Sequence, residues 1–102
     1  MPATSRPIDP ATTLAHIGRG NLLAVSGGRR QWELDDETGA TIACHLPVAY
    51  GYSVRVTLDA TDTYIVERVF ARNGKSWVKG TWMFVHAEEL GEAVYAASCY
   101  RD

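Results

Sequence analysis

The chain has 102 residues, which is enough for one domain but not for two. Hydrophobic residues make up 46% of it and charged residues 22%, which is ordinary for a globular protein. A chain of this length can bury enough surface to fold without disulfide bonds or a structural metal. The formal net charge of −2 argues against a chain that binds nucleic acid or anionic lipid through its overall charge.

The N-terminal stretch MPATSRPIDP is polar and rich in proline. It predicts a flexible arm over residues 1–10, followed by a single domain over residues 11–102. No charged segment followed by an apolar run opens the chain, and no apolar run approaches the roughly 18 residues that a membrane span needs. We therefore expect no membrane partner and a cytoplasmic location, in which Cys44 and Cys99 stay reduced. A disulfide between them is the alternative.

Two short helices are predicted next. Leu14 and Ile17 share one helical face before the sequence GRG interrupts it. Asn21 is the expected N-cap of the second helix, which the glycine pair at 27–28 should end.

Apolar and polar residues then alternate with period two, which predicts strands. Asn73-Gly74 is the strongest two-residue hairpin signal and joins the last two of these strands. The predicted strands cover residues 30–34, 41–46, 51–58, 63–72 and 75–85.

After Ala87 the apolar residues recur with helical spacing, at Leu90, Ala93, Val94 and Ala97. The expected helix contains a glycine, Gly91, which costs roughly 1 kcal/mol relative to alanine but would permit close approach to the sheet. The sequence therefore predicts an α+β fold. An antiparallel meander sheet of four to five strands carries short N-terminal helices and one C-terminal helix.

No pattern points convincingly to catalysis, a cofactor or a metal. The segment SGGRR at 26–30 is glycine-rich and basic, but it follows a helix, whereas phosphate-binding loops precede one. His86-Ala87-Glu88 matches the H-x-E of zinc deaminases, but the P-C-x-x-C that should follow is missing. Adjacent Cys44 and His45 would point to opposite faces of a strand. We expect a non-enzymatic protein. The alternative is a small enzyme with a cleft between the N-terminal helices and the sheet, although no residue identifies a catalytic site there.

The hairpin over residues 62–85 carries apolar residues on both faces. If the strand at 51–58 fixes the inner face, that face should also receive Tyr64, Val66, Phe70, Val78, Trp82 and Phe84. Arg68 would then point inward, which is costly unless it is paired. A β-bulge near Glu67-Arg68 would instead release Arg68 and turn Val69 inward, and the sequence leaves both alternatives open.

Three apolar residues remain on the outer face, Ile65, Trp77 and Met83. Basic residues flank them, and an apolar patch with a charged rim is typical of a partner-binding surface. The predicted binding residues are Trp77, Met83, Ile65, Lys79, Arg55 and Lys75. The expected partner is another protein or a second copy of the chain. Coverage of this face by the N-terminal helices, in a three-layer domain, is the competing explanation.

Single-stranded nucleic acid is the alternative ligand for the same face. Residues 51–80 carry five basic and three acidic side chains, a local charge of +2, and aromatic rings there would stack on bases. Residues 87–102 carry four acidic side chains and one basic side chain, a local charge of −3.

Three segments carry a resemblance that spans most of residues 14–102. They are IGRGNLLAVSGGR, the pattern LPVAYGYSVRVTLDATDTYIVERVFAR-G---VKG and the closing ELGEAVYAASCYRD. The chain resembles small accessory proteins encoded by actinobacterial phages and related mobile elements. The resemblance implies no activity, cofactor or catalytic residue. It implies only a setting, the cytoplasm of an infected or carrier bacterium. Small phage accessory proteins often act by binding and altering a host or phage protein, which favours a binding role here.

Overall fold

The computed structural model describes residues 6–99, which form a five-stranded antiparallel sheet with helices on one side. The strands lie in chain order across the sheet, so the predicted α+β meander is confirmed. One turn of 3₁₀ helix, Ala87–Glu89, precedes the last helix. The elements are α1 (Pro10–Ile17), α2 (Arg19–Ser26), β1 (Gln31–Leu34), β2 (Thr41–Pro47), β3 (Tyr52–Leu58), β4 (Tyr64–Arg72), β5 (Lys75–Val85) and α3 (Leu90–Cys99).

The predicted arm is hydrogen-bonded to the sheet in the part that the structure describes, residues 6–10. Residues 1–5 lie outside the described residues. From Arg6 onward the chain bonds to the sheet: the Arg6 N–H donates to the Leu58 carbonyl at 3.0 Å, and the Ile8 N–H donates to the Thr41 carbonyl at 2.8 Å. Ile8 is buried in the core. The packed domain therefore includes residues 6–10, which the sequence assigned to the arm.

Glycines set the ends of the first two helices. Gly18 adopts φ +90°, a conformation that favours glycine, so α1 ends there and α2 begins directly at Arg19. The prediction of Asn21 as the N-cap is wrong, because its side chain lies inside α2 and donates to the Ile17 carbonyl at 3.0 Å. Gly27 ends α2 in the left-handed conformation, as predicted.

All three described helices pack on one face of the sheet, called here the inner face. The core joins helix residues such as Leu22 and Val94 to inner-face strand residues such as Val54. No helix of the described chain lies on the other face, the outer face, so the three-layer alternative is wrong. Burial of one such side chain contributes roughly 1.5–3 kcal/mol. The fully buried members include Ile17, Leu46, Leu90, Val54, Val56, Val66 and Val94.

Gly91 lets α3 approach the helical layer. A Cβ atom at this position would lie 2.5 Å from the Ile17 carbonyl oxygen and 2.5 Å from the Asn21 side-chain nitrogen. A close approach is thus present as predicted, but it is made to the junction of α1 and α2 and not to the sheet.

Arg68 points inward, as the first of the two sequence alternatives has it. Its Nη1 donates to the carbonyls of Ala97 at 2.8 Å and Ser98 at 3.0 Å, at the C-terminal end of α3. Its guanidinium carbon lies 4.0 Å from the centre of the Tyr52 ring. The partial negative charge of a helix C-terminus and the ring face both favour a cation, which explains how an arginine only 9% exposed is accommodated.

The irregularities of the hairpin lie in β5 and not at Glu67-Arg68. Arg68 pairs with Gly80 and Val69 pairs with Val78, so Lys79 is an extra residue in β5. Near the other end, Met83 and Phe84 together oppose one residue of β4, and Phe84 has φ +56°.

Each bulge reverses the alternation of β5. Trp77 pairs with Phe70 and therefore lies on the inner face, so its prediction as an outer-face residue is wrong. Val78 pairs with Val69 and faces outward, so its prediction as a core residue is also wrong. Phe84 is 64% exposed, so its prediction as a core residue is wrong. Val85 is buried in its place.

Candidate functional site

A polar network fills the centre of the outer face. Arg55 on β3 donates to Glu33 on β1 at 3.2 Å and to Glu67 on β4 at 3.3 Å. The His45 Nε2 atom on β2 lies 2.8 Å from a Glu33 carboxylate oxygen. Hydrogen bonding by His45, together with the charge and hydrogen bonds of Arg55, holds the pKa of Glu33 below its usual value, against a smaller opposing effect of burial. Arg55 is therefore committed to carboxylates of its own chain.

The sequence missed this network as a unit. Alternation did place Glu33, His45 and Arg55 opposite to the buried residues of their strands. The missing information was the register, because His45 pairs with Arg55 and Arg55 pairs with Glu67. The meander order was enough to suggest that these outward polar residues of neighbouring strands meet.

The six predicted binding residues do not form one patch. Arg55 lies in the network, and Ile65 is half-buried on the outer face opposite Thr57. Trp77 lies on the inner face. Met83, Lys75 and Lys79 are exposed on β5, with Lys79 at a bulge.

Exposed apolar side chains concentrate along β5, an edge strand of the sheet. Of the eight large apolar residues that are exposed within residues 6–99, four belong to this strand. We call these four the β5 edge: Trp77, Val78, Met83 and Phe84. Val78 and Phe84 were not among the predicted binding residues, because no residue in the sequence marks the bulges that expose them.

The turn end of β5 carries aromatic and basic residues. Tyr52, Phe70 and Trp77 form a row across three strands, with ring centres 4.8 Å apart for the first pair and 5.9 Å apart for the second. Arg72 and Lys75 pair at the hairpin beside this row.

The opposite end of β5 has a groove with acidic residues. The groove has a volume of about 500 Å³ and lies between β5 and the start of α3. Glu89 and Glu92 contribute carboxylates to its lining. Its apolar lining consists of Trp82, Met83, Phe84, Val85, Ala93 and Ala96.

The glycine-rich segment at 26–30 forms a turn that satisfies its own carbonyls. Arg29 Nε donates to the Ser26 carbonyl at 3.2 Å, and Arg30 Nη1 donates to the Gly28 carbonyl at 2.9 Å. Both arginines border a cavity of about 620 Å³. The helix-ending role of this segment is confirmed, and an anion contact in the cavity stays untested.

Both cysteines are free, so the disulfide alternative is wrong. Cys44 is buried, and burial raises the pKa of its thiol to about 11. Within residues 6–99 no group of three or more His, Cys, Asp or Glu side chains is placed to hold a metal ion. The three histidines lie apart: His16 contacts the Tyr64 hydroxyl at 2.8 Å, His45 belongs to the outer network, and His86 precedes the 3₁₀ turn.

None of the helices in the described part of the chain combines the length and apolar character that a membrane span requires. Comparison with protein-family models, with curated proteins and with solved structures finds no match to this chain. The setting implied by the resemblance to phage accessory proteins therefore stays a prediction, and the candidate site depends on the geometry of β5.

Proposed function

We propose that this chain is a non-enzymatic protein-binding module and that it binds its partner through the β5 edge. The observation that carries the proposal is the concentration of exposed apolar residues on one long edge strand. Exposed apolar side chains flanked by charge are typical of protein interfaces, because their removal from water favours association.

The β5 edge is a better candidate than the centre of the outer face. Arg55, Glu33 and Glu67 already satisfy one another, and a partner would have to break or desolvate these ion pairs. Met83 and Phe84 need no such exchange, because their exposed side chains gain by burial alone.

The experiment is affinity purification with matched variants at the two edges of the sheet. Met83 on β5 and Leu34 on β1 are both 55% exposed, so Met83→Lys and Leu34→Lys make the same change on opposite edge strands. Each protein is immobilised and exposed to an actinobacterial lysate, and the bound proteins are identified by mass spectrometry.

We expect the wild type and Leu34→Lys to retain the same specific partner, and Met83→Lys to lose it. Equal retention by all three proteins would contradict binding through the β5 edge. Following the phage resemblance, we propose that the partner is a host or phage protein whose activity changes on binding, in the cytoplasm of the carrier bacterium.

Single-stranded nucleic acid is a second candidate ligand, favoured by the aromatic row beside Arg72 and Lys75. It is weaker because the Arg68 guanidinium covers one face of Tyr52, and Phe70 packs against both neighbouring rings. Bases need free ring faces for stacking. The test is a titration with a single-stranded oligonucleotide at low and moderate salt, in which real binding weakens steeply as salt rises and no signal at low salt rejects the candidate.

A further inference from the structure

We infer that the β5 edge takes a second copy of this chain, with the two β5 strands side by side and antiparallel about a twofold axis. This inference rests on the proposed function and names its partner. It comes from the difference between the two ends of one strand.

The two ends of β5 complement each other. The turn end presents the half-exposed Trp77 ring with the cations Arg72 and Lys75 beside it. The far end presents the apolar groove with the carboxylates Glu89 and Glu92. An aromatic side chain flanked by cations is the group that an apolar groove with an acidic rim should accept.

A twofold axis brings these unlike ends together twice. In an antiparallel pair of identical strands, the turn end of one copy lies beside the far end of the other, and the same contact recurs by symmetry. An 11-residue strand is about 35 Å long, so the two contacts are well separated. A parallel arrangement would instead place cations beside cations and carboxylates beside carboxylates.

The bulges in β5 favour a folded second copy over an extended peptide. A peptide that adds as a strand needs a regular row of backbone donors and acceptors on the edge. The irregularities at Lys79 and at Met83–Phe84 interrupt that row, and bulged edges resist open-ended strand pairing. Contact between side chains at the two ends of the strand does not depend on a continuous ladder.

Reciprocal charge reversal tests the arrangement. Lys75→Glu replaces one of the two turn-end cations with a carboxylate, and Glu92→Lys replaces one of the two groove carboxylates with a cation. In each variant alone, residues 75 and 92 carry like charges at both symmetric contacts, so we expect its dimer dissociation constant to rise at least about tenfold. In an equimolar mixture, a mixed dimer regains opposite charges at both contacts, and its affinity should return to about the wild-type value.

The measurement is sedimentation equilibrium over a wide concentration range, with circular dichroism to verify folding of each variant. Arg19→Glu and Glu37→Lys serve as the control pair, because both residues are exposed away from β5, Arg19 on α2 and Glu37 in the β1–β2 turn. These controls should dimerise like the wild type, both alone and mixed.

The outcomes separate this inference from the proposed function. A monomeric wild type, or a mixture of the charge variants that fails to recover a dimer, overturns the second copy as partner. If the lysate experiment still shows a partner that Met83→Lys loses and Leu34→Lys retains, the proposed function survives without it. A monomer that retains no such partner removes both.

Discussion

The two faces of the sheet each hold an arginine, in contrasting environments. Arg68 on β4 points into the inner face and donates to the Ala97 and Ser98 carbonyls at the end of α3. Arg55, on the neighbouring strand β3, points outward and pairs with carboxylates that water also reaches. The inner cation is held by neutral acceptors in a sealed layer, whereas the outer cation belongs to a solvent-screened network. We therefore expect the inner position to contribute much more to stability.

The side chains of β5 do not alternate regularly between the inner and outer faces. Its two bulges turn Trp77 inward, turn Val78 outward and leave Phe84 exposed. Val78 and Phe84, which a regular strand would place in the core, are therefore exposed on this edge strand. That is why the candidate site lies along this strand and not on the open face beside it.

The largest difference that we expect concerns thiol reactivity, which measures how well the inner face is sealed. Cys44 lies on that face with a pKa of about 11, whereas Cys99 is exposed at the end of α3. At pH 8 only about one Cys44 thiol in 10³ would be ionised, and burial blocks access as well. We expect Cys99 to react with a disulfide reagent at least about 10³-fold faster than Cys44, measured by absorbance.

Single-cysteine variants assign the two phases. Cys44→Ser should leave one fast thiol, and Cys99→Ser should leave one slow thiol that becomes fast in denaturant. Comparable rates for the two thiols in the native protein would mean that the inner face opens readily.

The next largest effect should come from removing the inner cation. Arg68→Met keeps much of the side-chain length but leaves the Ala97 and Ser98 carbonyls without their donor and removes the contact with Tyr52. We expect the free energy of unfolding to fall by about 2–3 kcal/mol, since hydrogen bonds to a charged group are worth about that much. For a domain of this size, the melting temperature should fall by about 10 °C or more.

Arg55→Met is the matched control on the outer face. The loss of stability should stay below about 1 kcal/mol, because water still screens these partly exposed ion pairs. Equal losses for the two variants in urea denaturation would show that the faces do not differ in the way the contacts indicate.

The fold could be predicted well because apolar residues recur regularly over most of the sequence, with a period of two in strands and with helical spacing in helices. Alternation placed Val54 and Val56 correctly in the core, and Asn73-Gly74 correctly marked the hairpin. It failed on β5, because a bulge shifts the alternation without any characteristic residue. The assignments of Trp77 and Val78 then reversed together.

The candidate site was predicted only in part for related physical reasons. Met83 and Lys75 lie on β5 as expected, but the capture of Arg55 by Glu33 depends on strand register. The stabilisation of an inward Arg68 depends on where α3 ends, which no local pattern specifies. Contacts between distant segments therefore decided the points that the sequence left open.

The smallest effect should be the pH dependence of the outer network. The pKa of Glu33 is lowered from its usual 4.5, first by its hydrogen bond with His45 and then by Arg55, so the folded state favours the carboxylate. This stabilisation is fully present above about pH 5 and is lost as pH falls through 4.5 toward the lower pKa of the folded state. The Glu33 side chain is 39% exposed, so screening should keep the effect below about 1 kcal/mol. Glu33→Gln should therefore destabilise the protein at pH 6 but not at pH 3, measured by urea denaturation against Glu37→Gln in the exposed β1–β2 turn. If the difference between these two variants is the same at both pH values, the Glu33 carboxylate adds no stability through its charge.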